Sequence, residues 1–293
     1  MKNSAIRHLA VSRLTTKLAA AFFESTVQIW NLSTLEKLAE FETALSFGGC
    51  RLALDPSGEL CAAASWVGGK RGGVGCYEAK SGRLIWHRPD LKQTQRLRFS
   101  TDGKSAWCVP DAGPAKRLDS VNGRTLDTLT SLTDVYESAY SANLFLENRK
   151  RNYQLGRNSD IRIPRLKFAV LDASFSRDSL AISEVGGPVR CLESSTGTER
   201  WRYSPSVNNH FLRLWYREAD DNFYGVQWDY QTGAYRALVR LGGKTGQSKE
   251  VCPLRSWREE YCIGLDSLVT SAGELIGLTD GRLIGRLPFP LKE

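Results

Sequence analysis

The sequence has no run approaching the ~18–20 consecutive apolar residues of a membrane-spanning helix. Its N-terminus, with Arg7 and Arg13 interrupting every apolar stretch, does not read as a secretory signal. No Cys-x-x-Cys pair occurs, which removes the usual zinc and dithiol redox motifs. Histidine is scarce: His8, His87 and His210 are the three, and nothing in their spacing brings them together. There is no Gly-x-Gly-x-x-Gly or Walker-type loop. The run Gly68-Gly69-Lys70-Arg71-Gly72-Gly73 lacks a following Ser/Thr and helix, so it reads as a turn. No segment holds a 3.6-residue apolar period over three turns, which argues against a helical protein.

What is present is an ordinary water-exposed composition, 41% hydrophobic and 25% charged over 293 residues. The seven cysteines are odd in number and scattered singly among apolar neighbours, where a free thiol acts as a small hydrophobe. That usage suits a reducing, cytoplasmic setting. The net charge is +8, with 27 Arg against 13 Lys, and arginine's planar fork suits carboxylate or phosphate recognition.

Two classes of turn recur along the chain. One follows a short apolar strand: Ser12–Lys17, Asp55-Pro-Ser-Gly-Glu59, Ser100-Thr-Asp-Gly-Lys104, Ser176–Ser179 and Arg217–Asn222. The other lies about 20 residues later: Asn31–Leu35, Lys80-Ser-Gly82, Val121-Asn-Gly123, Ser195-Thr-Gly197, Gly243–Gly246 and Thr279-Asp-Gly281. Successive members of either class lie about 35–50 residues apart, the period of a four-stranded unit built from two hairpins. Between them lie strand-length apolar pieces such as Arg51–Leu54, Leu60–Ala64 and Val27–Trp30. The expected fold is all-β: a seven-bladed β-propeller of four-stranded antiparallel blades, in one domain over residues 1–293. The units run approximately 5–44, 45–92, 93–132, 133–168, 169–207, 208–256 and 257–290. The fourth has the poorest turns, Tyr140–Asn143 and Asn158–Asp160, so six or eight blades stay open. Little chain flanks the first and last strands, so the terminal units are expected to meet by side-chain packing.

Val27-Gln-Ile-Trp30-Asn31 resembles the end of a third strand in a WD40 repeat. Tyr77–Trp86 and Leu192–Trp201, with Ser/Thr-Gly and then Trp on the outer strand, are similar to quinoprotein-type propeller repeats. The Gly-His dipeptide of WD40 repeats is absent and Trp-Asp occurs once, at Trp228-Asp229. The resemblance therefore implies a divergent WD40-like fold and no particular activity.

No catalytic residue, metal ligand or cofactor is expected. The adjacent cysteines of quinoprotein dehydrogenases are missing. The alternative is a propeller enzyme of the metal-dependent hydrolase or lactonase type, with Glu24, Asn143, Asp172 and Asn209 as candidate ligands at a channel mouth. The adjacent carboxylates Asp220-Asp221 and Glu259-Glu260 read as solvated turn residues.

The propeller frame puts the connectors between second and third strands on one face. Those of units two, three and four are Val67–Gly73, Pro110–Arg117 and Asn148–Asn152. They would carry Lys70, Arg71, Lys116, Arg117, Arg149, Lys150 and Arg151 on one basic crest, with Trp66 and Trp257 as exposed aromatic anchors. The expected partner is a protein with an acidic surface, engaged by a scaffold, an adaptor or a bacterial immunity-type inhibitor. Nucleic acid is the lesser alternative, since 32 acidic residues dilute the charge. The chain is expected to be a monomer outside its complex and to need no membrane.

Overall fold

The computed structural model describes residues 6–22, 25–45, 50–65, 72–130, 132–137, 144–148, 153–155, 163, 166, 169–206, 208–229, 231–254 and 261–289. Its strands form antiparallel sheets, each taking its strands in chain order. The first sheet is β1–β4 (Ile6–Val11, Lys17–Phe22, Thr26–Asn31, Lys37–Glu42), and the second β5–β8 (Cys50–Leu54, Leu60–Ser65, Gly73–Glu78, Leu84–Arg88). The third is β9–β12 (Thr94–Phe99, Ser105–Pro110, Ala115–Asp119, Thr125–Leu129), and the fourth β13–β15 (Leu132–Glu137, Leu144–Asn148, Tyr153–Leu155). The fifth is β16–β19 (Val170–Phe175, Ser179–Glu184, Val189–Glu193, Glu199–Tyr203), and the sixth β20–β23 (Asn209–Arg217, Asn222–Asp229, Tyr235–Gly242, Ser248–Pro253). The last is β24–β27 (Tyr261–Ile263, Ser267–Thr270, Glu274–Gly277, Leu283–Arg286).

Six four-stranded blades are thus described, in place of the seven expected from the turn period. The sheet within unit 133–168 has three strands among the described residues. The physical reason lies in its sequence, where Asn148–Asn152 and Gly156–Asp160 break the apolar alternation and Pro164 has no N–H for a ladder. Ile163 and Leu166 are buried in the core of the fifth sheet without joining a strand.

Contacts divide the chain into two compact units, Met1–Asp134 with Val269–Leu275 and Gly285–Glu293, and Val135–Leu268 with Ile276–Ile284. Within each, second strands are buried along nearly their whole length, as in Lys17–Phe22, Leu60–Ser65 and Ser179–Glu184. Their small or apolar residues, such as Ala19–Ala21 and Ala62–Ala64, admit close packing of neighbouring sheets on both faces. Fourth strands alternate instead, as in Thr125–Leu129 and Glu199–Tyr203, because only one face is covered. The pairing of third with fourth strands slips at Ile29/Trp30, Cys76/Tyr77, Arg117/Leu118, Cys191/Leu192 and Leu238/Val239. Such bulges bend the outer strand and increase local twist.

A recurrent lock fastens one sheet to the next. In the first unit, Trp86 Nε1 donates to the Ser120 carbonyl at 2.9 Å. The indole lies over Gly123, whose φ is +70° and where an added Cβ would meet the ring at 2.8 Å. In the second unit, Trp201 Nε1 donates to the Gly243 carbonyl at 2.7 Å, over Gly246. The turns Val121-Asn-Gly123 and Gly243-Lys-Thr-Gly246 are therefore seats for a tryptophan of the preceding sheet as well as tight turns. At the chain end, the Phe289 ring meets Phe22 and Trp30 edge-on, at centroid distances of 6.0 and 5.7 Å.

Candidate interaction surface

First strands are sheet edges, so half of their backbone groups lack a ladder partner and need another one. Side chains of the neighbouring first strand supply several. In the first unit, His8 Nδ1 accepts the Leu52 N–H at 3.2 Å, and Arg51 Nε donates to the Gln95 carbonyl at 2.9 Å. In the second, Asp172 Oδ2 accepts the Leu214 N–H at 2.8 Å, and Ser174 Oγ accepts the Tyr216 N–H at 3.0 Å. The same spacing joins hairpins, where Ser12 Oγ donates to the Pro56 carbonyl at 2.6 Å.

These links set arginines in a row. The first strands of the first three sheets read Ile-Arg-His-Leu-Ala-Val, Cys-Arg-Leu-Ala-Leu and Thr-Gln-Arg-Leu-Arg-Phe. They contain Arg7, Arg51, Arg96 and Arg98 and no acidic residue. Arg7 is exposed; the other three residues are half-buried. Register fixes which end of each sheet they occupy. Ile6, beside Arg7, pairs with Phe22; Arg51 pairs with Ala64; Arg96 pairs with Val109. All three partners stand within two residues of the end of a second strand, where the connector to the third strand begins. Arg96 Nε donates to Asp134 Oδ2 at 2.9 Å, and Arg98 Nε lies 3.5 Å from Asp134 Oδ1. The Asp134 side chain is 3% exposed, against 41% and 39% for the two arginines.

In the second unit, the chemistry where second strands end differs. Glu184, fully buried, is bridged by Arg190 at 2.6 Å, and Arg190 also reaches Glu199 at 3.1 Å. Nearby, His210 is 2% exposed, accepts the Gly186 N–H on Nδ1 and lies against Trp228, with centroids 5.5 Å apart. Burial holds its imidazole below the usual histidine range, partly offset by the Glu184 backbone and the Asp229 charge. A protonated Nδ1 would no longer accept the Gly186 N–H. The unfolded chain then binds a proton at higher pH than the folded one. Stability is therefore unaffected by this group above the ordinary histidine range and falls as pH drops through about 6.5 toward the lowered value. Denaturation midpoints measured between about pH 7 and pH 5 should decline, and His210→Phe should flatten that decline.

Of the residues expected on a basic crest, Trp66, Lys70, Arg71, Arg149, Lys150, Arg151 and Trp257 lie outside the described residues. Lys116 and Arg117 are described: they stand in strand β11, just past the connector 111–114. Residues of Ala115–Asp119 pair with β10 on one side and β12 on the other, and Ala115 and Leu118 are fully buried. Lys116 Nζ reaches Asp90 at 3.1 Å, and Arg117 Nε donates to Ser105 Oγ at 2.7 Å. Asp90 also takes a two-pronged contact from Arg88, which with Lys116 holds its carboxyl far below the usual range.

The candidate oxygen ligands fare similarly. Glu24 and Asn143 lie outside the described residues, Asp172 is committed to the Leu214 N–H, and Asn209 donates to Ser206 Oγ at 2.6 Å. Asp220 and Asp221 do more than sit in a turn: they accept the Tyr224 and Tyr216 hydroxyls at 2.6 and 2.9 Å. Burial pushes the Cys76, Cys108 and Cys191 thiols up to about 12. Among the described residues, no group of three or more His, Cys, Asp or Glu side chains is placed to hold a metal ion. No described helix is long and apolar enough to cross a membrane.

The first-strand arginines were not singled out by sequence. A signal was there: in Thr94–Phe99, Arg96 and Arg98 alternate with Leu97 and Phe99, which marks one side of a strand.

No family model and no curated protein matches the chain. Solved structures do. The β-propeller domain of Cps50 (Swd1) from Myceliophteria thermophila is 13% identical, with 97% of this chain and 96% of that one covered and a TM-score of 0.68. The computationally designed Ika8 protein is 14% identical, with 99% and 89% covered and a TM-score of 0.64. At such identities the likeness is one of fold. The chain is an all-β β-propeller of four-stranded antiparallel blades.

Proposed function

We propose that this propeller is a non-catalytic protein-binding module, a scaffold, adaptor or inhibitor, that engages an acidic surface through basic connectors between second and third strands. The observation that supports the reading is the basic character of the first three sheets, whose first strands carry Arg7, Arg51, Arg96 and Arg98. The sequence adds Lys70, Arg71, Arg149, Lys150 and Arg151 on connectors between second and third strands, with Trp66 and Trp257 as aromatic anchors. Charge so arranged speeds encounter and selects partner sign more than it sets final affinity. Buried cysteines with raised pKa suit a reducing, cytoplasmic setting.

The test is affinity capture at low and high salt, with and without nuclease, using the natural chain and a variant with Lys70, Arg71, Arg149, Lys150 and Arg151 changed to Glu. A stoichiometric protein that survives nuclease, is retained by the natural chain and is lost by the variant is the expected result. Equal retention by both overturns the reading, and so does material that disappears on nuclease treatment.

A further inference from the structure

The turns between third and fourth strands share one frame. In five of them a backbone bond closes the turn: the Glu78 N–H donates to the Arg83 carbonyl, Asp119 to Arg124, Glu193 to Thr198, Gly242 to Gln247 and Gly277 to Arg282. The residue before each acceptor is a left-handed glycine: Gly82, Gly123, Gly197, Gly246 and Gly281. The first sheet has the same frame, with the Asn31 N–H donating to the Glu36 carbonyl. There, however, the left-handed place is held by Leu35, at a φ of +60°. A bulky side chain at such an angle carries backbone strain that glycine avoids.

The opposite exchange occurs on the last strand. Elsewhere the turn glycine is a hole, and a residue of the preceding sheet's outer strand is the knob: Phe41 on Gly82, Trp86 on Gly123, Trp201 on Gly246 and Cys252 on Gly281. In Leu283–Arg286 the third residue, where Leu84–Arg88 has Trp86 and Glu199–Tyr203 has Trp201, is Gly285. A Cβ added there would stand 2.7 Å from Leu35 Cδ1. Glycine inside a strand also weakens it. Both positions therefore break a local preference, and each makes room for the other. Farther along, Phe289 extends the contact with the first sheet through Phe22 and Trp30.

We infer that Leu35 and Gly285 are the latch of the seam between the first and last sheets, a knob and hole of reversed polarity that keys these two sheets to each other. A tryptophan of an internal outer strand has no hole to enter at Leu35. Among the other described fourth strands, Lys37–Glu42, Leu84–Arg88, Thr125–Leu129, Glu199–Tyr203 and Ser248–Pro253, none contains a glycine to receive the leucine. Discrimination comes as much from rejecting wrong partners as from fitting the right one. The strain at Leu35 is held by the packing around it and serves this selection.

The experiment is hydrogen–deuterium exchange of the full chain, read by mass spectrometry. Peptides within 26–42 and 283–289 report the seam, and peptides within 94–119 serve as an internal reference. Gly285→Trp should speed exchange at the seam by about tenfold, with the reference unchanged within about twofold. Placed on Leu35→Gly, the same Gly285→Trp should meet a hole, as Trp86 and Trp201 do, and its effect should shrink to less than about threefold. Leu35→Gly alone completes the cycle. Should Gly285→Trp fail to fold, Gly285→Ala makes the same comparison with one added methyl group. The inference is overturned if the substitution at Gly285 leaves seam exchange unchanged. It is overturned equally if the effect is the same whether residue 35 is leucine or glycine.

Discussion

Trp201→Ala should lower stability by about 3–5 kcal/mol, the cost typical of deleting a large buried aromatic. The residue is 8% exposed in a cluster with Phe211, Tyr216, Phe223 and Val239. Three separate contacts are lost. The indole donates to the Gly243 carbonyl, its face lies over Gly246, and its ring meets Phe223 at a centroid distance of 6.1 Å. The turn that follows the next sheet's third strand would lose its seat, so the damage extends beyond the cavity. Two companion variants separate the contributions. Trp201→Phe keeps a ring but removes the donor, and should cost about 1–3 kcal/mol for the carbonyl left without it. Gly246→Ala keeps the tryptophan but places a Cβ 2.6 Å from it at a φ of +67°, and should also destabilise. Urea denaturation followed by both tryptophan fluorescence and far-ultraviolet circular dichroism reads all three. A loss below about 1 kcal/mol for Trp201→Ala would mean that the lock is decorative.

That lock shows why the fold was legible. A glycine in a left-handed turn and a tryptophan on an outer strand are local, recurring choices, and each appears in the sequence as a dipeptide or a spacing. The turns at Gly58, Gly82, Gly103, Gly123, Gly197, Gly246 and Gly281 all have positive φ where the repeat asked for it. The fourth unit was harder because its turns carry no such glycine, and it yields three described strands where four were expected. The interaction surface was legible only in part. Lys116 and Arg117 read as loop residues because Pro110-Asp-Ala-Gly-Pro looks like the start of a long connector, yet Ala115 already enters the next strand. The arginine row was hidden for a different reason. Arg7, Arg51 and Arg96 lie about 44 residues apart, and only the register between sheets brings them to one end. Single charged residues in separate apolar strands look like noise until the hydrogen bonds from His8 and Arg51 reveal the neighbours.

Arg96→Met combined with Arg98→Met should cost about 3 kcal/mol, the lower end of the range for stripping the partners from a buried charge. The carboxylate of Asp134 is 3% exposed, so water cannot replace two guanidinium contacts without opening the strand edge. The arginines themselves are partly solvated, which is why the estimate sits low in the range. The informative step is the third substitution. Adding Asp134→Leu to the double variant removes the stranded charge, and replacing a buried ion cluster by apolar groups of similar size is often neutral. The triple variant should recover most of the loss, giving a coupling far from additive in a denaturation cycle. Additive losses would instead mean that Asp134 holds the strand through its other contacts and that the arginines contribute little there.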